Sequence, residues 1–158
     1  MDPQRAGALL RELDYTLATA ESLTGGLVGA QITSVPGASD YYLGGVIAYS
    51  NSVKNSLLNV SQDVLASQGA VSEETARAMA IGVKDLLGSS VGLATTGVAG
   101  PDSLEGQPAG TLCLAVADPL GQETLRLQGP AGDRDTVISW AASQALSLLI
   151  RRLRSQVS

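Results

Sequence analysis

Thr16-Leu17-Ala18-Thr19-Ala20-Glu21-Ser22-Leu23-Thr24-Gly25-Gly26-Leu27-Val28-Gly29-Ala30-Gln31-Ile32 decides the fold. Thr16 to Ala20 is a short, mostly apolar run of strand character. Paired glycines and an apolar helix-forming run follow directly. A strand that turns through glycine into a helix is the building unit of an open α/β sheet. Ser22 falls at the turn. A hydroxyl there stands at the mouth of such a sheet, near backbone N–H groups able to hold an anion.

Outward from this unit, helical and strand-like segments alternate. Asp2 with Pro3 opens a helix to about Leu13, with Leu9, Leu10 and Leu13 on one face. The helix after Gly25 runs over 25–34 and is broken by Pro36-Gly37. Tyr42 to Tyr49 reads as a second strand, and Ser50-Asn51 offers a cap for a helix carrying Val53, Leu57 and Leu58. A short helix over 61–67 stops at Gly69. Ser72, Glu73 and Glu74 start a longer helix that ends at Leu87-Gly88, with acidic residues in the first turn where its dipole favours them. Val91 to Thr96 is nearly uninterrupted in its apolarity, as a central strand covered on both faces should be. After a loop rich in glycine and proline come strands at about 109–117 and 122–128, joined across Asp118-Pro119-Leu120-Gly121 as a hairpin. A last helix runs from Asp133 to Arg154, with Val137, Ile138, Ala141, Ala145, Leu149 and Leu153 at helical spacing. The expectation is one domain over 1–158, a three-layer α/β/α sandwich with a mixed, mostly parallel sheet.

Composition narrows the function. The chain has 158 residues and a net charge of −5, with charged residues at 16%; its one basic cluster is Arg151, Arg152 and Arg154 at a helix end favourable to cations. Nucleic-acid binding needs a basic face and is disfavoured. Cys113 sits alone in an apolar run and behaves as a small buried residue. No segment reaches the roughly 18 apolar residues of a membrane span, and Met1 to Arg5 lacks the apolar region of a signal peptide. The reading is a cytoplasmic protein with no membrane partner.

The chain contains no histidine, so a nucleophilic serine must give its proton to another base. With one cysteine besides, a zinc site is not expected. Only two lysines are present. Lys84 lies near the C-terminal end of its helix, where a solvated cation is favoured. Lys54 lies early in its helix, where the dipole opposes a positive charge and lowers its pKa; a solvated surface lysine is the other reading. Tyr49 ends a strand near Ser22, either as a rim residue or as a proton relay between serine and lysine. Ser22 reads equally as a helix cap and as a nucleophile. Glu21 is a solvated turn residue or an orienting group. The loop Thr95-Thr96-Gly97-Val98-Ala99-Gly100-Pro101 allows backbone to approach a ligand closely. Asp133 caps a helix, and Arg134 is a phosphate ligand or a surface arginine.

Taken in order, Ala20-Glu21-Ser22-Leu23-Thr24-Gly25-Gly26, Ala48-Tyr49-Ser50-Asn51 with Lys54, Gly69-Ala70-Val71-Ser72-Glu73 and Thr95-Thr96-Gly97-Val98-Ala99-Gly100-Pro101 resemble the C-terminal domain of the competence/damage-inducible CinA proteins. The resemblance runs from about residue 5 to 153. Stand-alone members of that family are nicotinamide mononucleotide deamidases. The resemblance therefore implies hydrolysis of a nucleotide carboxamide, without metal or cofactor, by Ser22 with Tyr49 and Lys54. Substrate contacts are expected from Glu21, Thr24, Gly25, Gly26, Asn51, Thr96, Gly97, Gly100 and Arg134, with oxyanion donors in the Gly25-Gly26 turn or the Gly97–Gly100 loop. Larger members carry a further N-terminal domain linked to ADP-ribose pyrophosphatase activity, from which nothing is carried over. The sequence departs from the pattern at Asp102-Ser103-Leu104-Glu105-Gly106, where relatives usually carry more glycine, and at Asp135-Thr136-Val137, where many place a further arginine. A module that binds the nucleotide without turning it over is the rival reading, and a structural partner of another protein a third. The apolar strand 42–48 and the nearly uncharged helix over 136–150 point to a homodimer contact.

Overall fold

Eighteen glycines and almost no aromatic bulk permit helices to lie unusually close to a sheet. The computed structural model, which describes residues 2–130 and 132–158, is built on that closeness. Met1, the first residue of the segment read for a signal sequence, lies outside the described residues. Five strands, β1 (Leu17–Glu21), β2 (Tyr42–Ile47), β3 (Val91–Gly97), β4 (Thr111–Asp118) and β5 (Gly121–Gln128), form one sheet in the order β2-β1-β3-β4-β5. β1 pairs in parallel with β2 and β3, whereas β3–β4 and β4–β5 are antiparallel. Only β4 therefore runs against the others, and the sheet is mixed and mostly parallel in direction.

The helices are α1 (Pro3–Glu12), α2 (Leu27–Thr33), α3 (Asn51–Leu58), α4 (Gln62–Ser67), α5 (Glu73–Leu87) and α6 (Arg134–Arg154). Their ends carry the expected chemistry. Asp2 accepts from the Gln4 N–H ahead of Pro3, Ser72 accepts from the Thr75 N–H, and Gly88 closes α5 in the left-handed conformation. Two expected spans shorten. β2 stops at Ile47 rather than Tyr49, and α2 begins at Leu27 because Gly25 and Gly26 both take positive φ in the turn before it.

The sheet has two unlike faces. Leu17, Leu93, Leu112, Leu114 and Val116 face α1, α2 and α6. Ala18, Ala20, Ala94, Cys113, Ala115 and Ala117 face α5 and α3. The alanine face is what lets α5 approach, and Gly92 is its closest point. A Cβ there would stand 2.0 Å from the Ala80 carbonyl oxygen. α6 puts Val137, Ala141, Ala145, Leu146, Leu149 and Leu153 into its own chain's core. The apolarity of that helix is accounted for within one chain. β2, an edge strand, does leave Leu43 and Ile47 about half exposed.

This topology fixes where a site can form. From β1 the chain reaches β2 through α2 on one face, and from β2 it reaches β3 through α3, α4 and α5 on the other. The C-terminal end of β1 is thus a switch point, where connections leave in opposite directions and open a crevice. Ser22 is the residue that follows β1. Among the described residues, no helix is long and apolar enough to cross a membrane.

Candidate active site

β1 delivers Ser22 to the crevice with its backbone still tied to the sheet. The Ser22 N–H donates to the Thr95 carbonyl at 3.0 Å. The side chain does not cap α2. That task falls to Glu21, whose buried carboxylate collects four donors. Oε1 accepts from the Thr24 hydroxyl (2.6 Å) and the N–H groups of Gly26 (3.2 Å) and Val28 (2.9 Å), and Oε2 accepts from the Gly29 N–H (3.0 Å). A carboxylate at a helix N-terminus satisfies both the unpaired N–H groups and the dipole. Glu21 is therefore not the solvated turn residue of the first reading, and its oxygens are engaged by α2 rather than turned to a substrate. Thr24 is likewise buried, between Glu21 and the Thr95 hydroxyl at 2.8 Å.

With the cap supplied elsewhere, Ser22 Oγ has a different partner. Lys54 Nζ donates to it at 3.0 Å. Ser50 starts α3 by accepting from the Val53 N–H, and Lys54 sits one turn in, pointing back under β2. The solvated reading of Lys54 fails, since the residue is 1% exposed. Its ammonium has three acceptors: Ser22 Oγ, the Ala48 carbonyl at 2.8 Å and the Tyr49 carbonyl at 3.3 Å. Burial drives its pKa from 10.5 down to about 8, and the Glu105 carboxylate pulls it back upward. Burial, not the helix dipole, is the main cause. A neutral Lys54 has two N–H bonds, enough for the two carbonyls, and a lone pair left for Ser22 Oγ.

Of the two readings of Tyr49, the structure shows the rim residue. Its side chain is 61% exposed, and its hydroxyl accepts from Arg134 at 2.8 Å. Since Lys54 meets Ser22 directly, a tyrosine relay has no gap to span; β2 ends two residues before Tyr49, and the ring turns out to the rim. Arg134, in the first turn of α6 behind the Asp133 cap, also donates to the Gly100 carbonyl at 2.5 Å.

Two cavities meet at Ser22. The front one, about 390 Å³, is lined by Ser22, Leu23, Tyr49, Gly97, Gly100 and Arg134 among others. The rear one, about 260 Å³, is lined by Ser22, Asn51, Lys54, Thr96, Gly97 and Glu105 among others. Asn51 is an exposed residue of the first turn of α3, and the Thr96 hydroxyl donates to the Ala70 carbonyl at 2.7 Å. Gly97 must be glycine, because a Cβ would stand 2.5 Å from the Thr111 carbonyl oxygen.

The expected oxyanion donors divide: those of Gly25, Gly26 and Val98 are committed, whereas the Ala99 and Gly100 N–H groups have no acceptor among the described residues. Gly25 N–H donates to the Ser22 carbonyl, Gly26 N–H to Glu21, and Val98 N–H to the Thr111 carbonyl. The Leu23 N–H, directly after Ser22, has no acceptor among the described residues. Sequence reading passed over Leu23, Glu105 and the Ala48 carbonyl. The only signal for Glu105 was a carboxylate in a loop where glycine is usual.

The family model for the CinA C-terminal domain matches residues 3–153. A CinA-like protein of Synechocystis sp. (strain ATCC 27184 / PCC 6803 / Kazusa) is 51% identical over 152 residues, covering 94% of this chain and 36% of that protein. A CinA-like protein of Frankia casuarinae is 48% identical, covering 92% of this chain and 33% of its own length. The chain thus spans about a third of the length of these curated relatives. Among solved structures, a competence-damaged protein (CinA) superfamily protein from Enterobacter cloacae superposes with a TM-score of 0.92 at 34% identity, over 96% of this chain and 89% of that one. A Klebsiella pneumoniae member of the same superfamily gives 0.93 at 32% identity, over 97% and 96%.

Proposed function

The chain belongs to the CinA C-terminal domain family, and from that premise we propose that it is an amidohydrolase converting nicotinamide mononucleotide to nicotinate mononucleotide and ammonia. The observation that carries this reading is the 3.0 Å contact between Lys54 Nζ and Ser22 Oγ at the sheet's switch point. A buried amine whose pKa falls to about 8 is a usable base near neutrality, in a chain that has no imidazole.

In the proposed reaction, neutral Lys54 takes the Ser22 proton as Oγ attacks the carboxamide carbon. The oxyanion forms against the Leu23 N–H, and one such donor contributes roughly 3–4 kcal/mol. Lys54 passes that proton to the amide nitrogen, which leaves as ammonia. Water then attacks the acyl ester and gives a proton to Lys54, which returns it to Ser22 Oγ as the acid leaves. The ribosyl phosphate lies in the front cavity toward Arg134, whose guanidinium is already oriented by Gly100 and Tyr49. Tyr49 thus serves substrate binding in this reading, through Arg134.

The test is ammonia release by the purified protein from nicotinamide mononucleotide, nicotinamide riboside, nicotinamide and glutamine. Release from the mononucleotide well above the other three is the expected result. Thermal stabilisation by the mononucleotide with no ammonia would instead favour a binding module. We also place a homodimer contact on the exposed face of β2, around Leu43 and Ile47, which sedimentation at micromolar concentration tests.

A further inference from the structure

The 98–110 loop forms the outer wall of both cavities, and one side chain fastens it. Glu105 has φ of 54°, a left-handed conformation that a residue with a Cβ keeps only where its surroundings enforce it. Those surroundings are explicit. Oε1 and Oε2 each accept from the Ala70 N–H at 3.1 Å, and Oε1 also accepts from the Val71 N–H at 3.3 Å. Gly69 lets the carboxylate approach, for a Cβ there would meet Oε2 at 2.5 Å. Gln107 adds a second tie by donating to the Val71 carbonyl at 2.8 Å.

The same carboxylate lines the rear cavity with Ser22 and Lys54. Among the described residues, Lys54 and Glu105 are the only charged side chains that line it. The other groups around the amine are neutral: the Ser22 hydroxyl from the turn after β1, the Ala48 and Tyr49 carbonyls from the segment after β2, and the Thr96 hydroxyl from β3. We propose that Glu105 is a positioning residue of this site, fastening the loop to the 69–71 turn while holding a negative charge against Lys54. The inference rests on the amidohydrolase reading only in treating Lys54 as the base. Without Glu105 the amine faces burial alone and releases its proton at lower pH.

The two lysines make this measurable without any substrate. In protein carrying isotope-labelled lysine, NMR titration gives two side-chain signals, from Lys54 and Lys84. In Glu105→Gln the Lys54 midpoint falls by about half a pH unit or more, and Glu105→Asp, which keeps the charge, restores most of it. The Ala70 and Val71 amides exchange roughly tenfold faster in both variants, as the fastening loosens. A Lys54 midpoint in Glu105→Gln equal to that of the unaltered protein overturns the proposal. So does unchanged Ala70 and Val71 exchange in Glu105→Asp, which serves alone if the glutamine variant does not fold. A protein that passes both tests yet releases no ammonia contradicts the amidohydrolase reading and leaves this inference standing.

Discussion

Raising the pH from 7 to 9 perturbs Lys54 selectively enough to test its role as a base. An unburied lysine of pKa 10.5 is neutral in only about 3 molecules in 10,000 at pH 7, and a pKa of about 8 raises that to about one in ten. Burial therefore increases the working fraction about 300-fold. The sign is fixed by the chemistry: the base must be neutral, so kcat/KM rises as pH climbs through the folded pKa. Between pH 7 and 9 the neutral fraction grows about tenfold, and kcat/KM should follow it to a plateau. The assay is initial-rate ammonia release at subsaturating nicotinamide mononucleotide. The chain has no histidine, so an inflection near pH 6 would belong to the substrate phosphate, with its second pKa near 6. Lys54→Arg, which keeps the charge but cannot lose it, should abolish the rise along with the activity. A flat profile from pH 7 to 9, or a falling one, would refute the assignment.

Glu21→Gln leaves an amide facing donors that a carboxylate now satisfies, and it removes a charge from the α2 N-terminus; urea denaturation should show a loss of about 2–4 kcal/mol. Gly92→Ala forces a Cβ onto the Ala80 carbonyl and should cost about 3 kcal/mol in the same assay, whereas Gly106→Ala, with open space around it, pays only for its positive φ. Asp118 is buried, which raises its pKa, but Arg152, the Leu120 N–H and Gln156 together outweigh burial and hold it low. A depressed carboxylate stabilises the fold above its ordinary range and loses that contribution as pH falls through the folded value. Denaturation midpoints from pH 7 down to 3 should therefore drop less steeply in Asp118→Asn than in the unaltered protein.

The elements were legible because each carries local chemistry. Asp2-Pro3, Ser72-Glu73-Glu74 and Gly88 mark helix ends through contacts a few residues apart, and the uniform apolarity of β3 marks a doubly covered strand. The hairpin of β4 and β5 was legible from its turn. The position of β1 between β2 and β3 was not, since no local signal says which strand a crossover reaches. Glu21 shows the same limit at the site. A carboxylate in a turn reads as solvated until the Gly25-Gly26 turn folds α2 back over it. Lys54 was found by elimination, since the chain offers two lysines and no histidine. The cause of its lowered pKa is burial rather than the dipole, and burial among groups as distant in sequence as Ser22, 32 residues away, leaves no local signal. Glu105, 35 residues from Ala70, left no trace in spacing at all.

The central claim is that Ser22, activated by Lys54, attacks the amide. It is tested most directly by the single-turnover rate of ammonia release from saturating nicotinamide mononucleotide, compared between the unaltered protein and Ser22→Ala. The account predicts a fall of roughly 10⁴-fold or more with nucleotide binding retained. A Ser22→Ala variant within tenfold of the unaltered rate would contradict it.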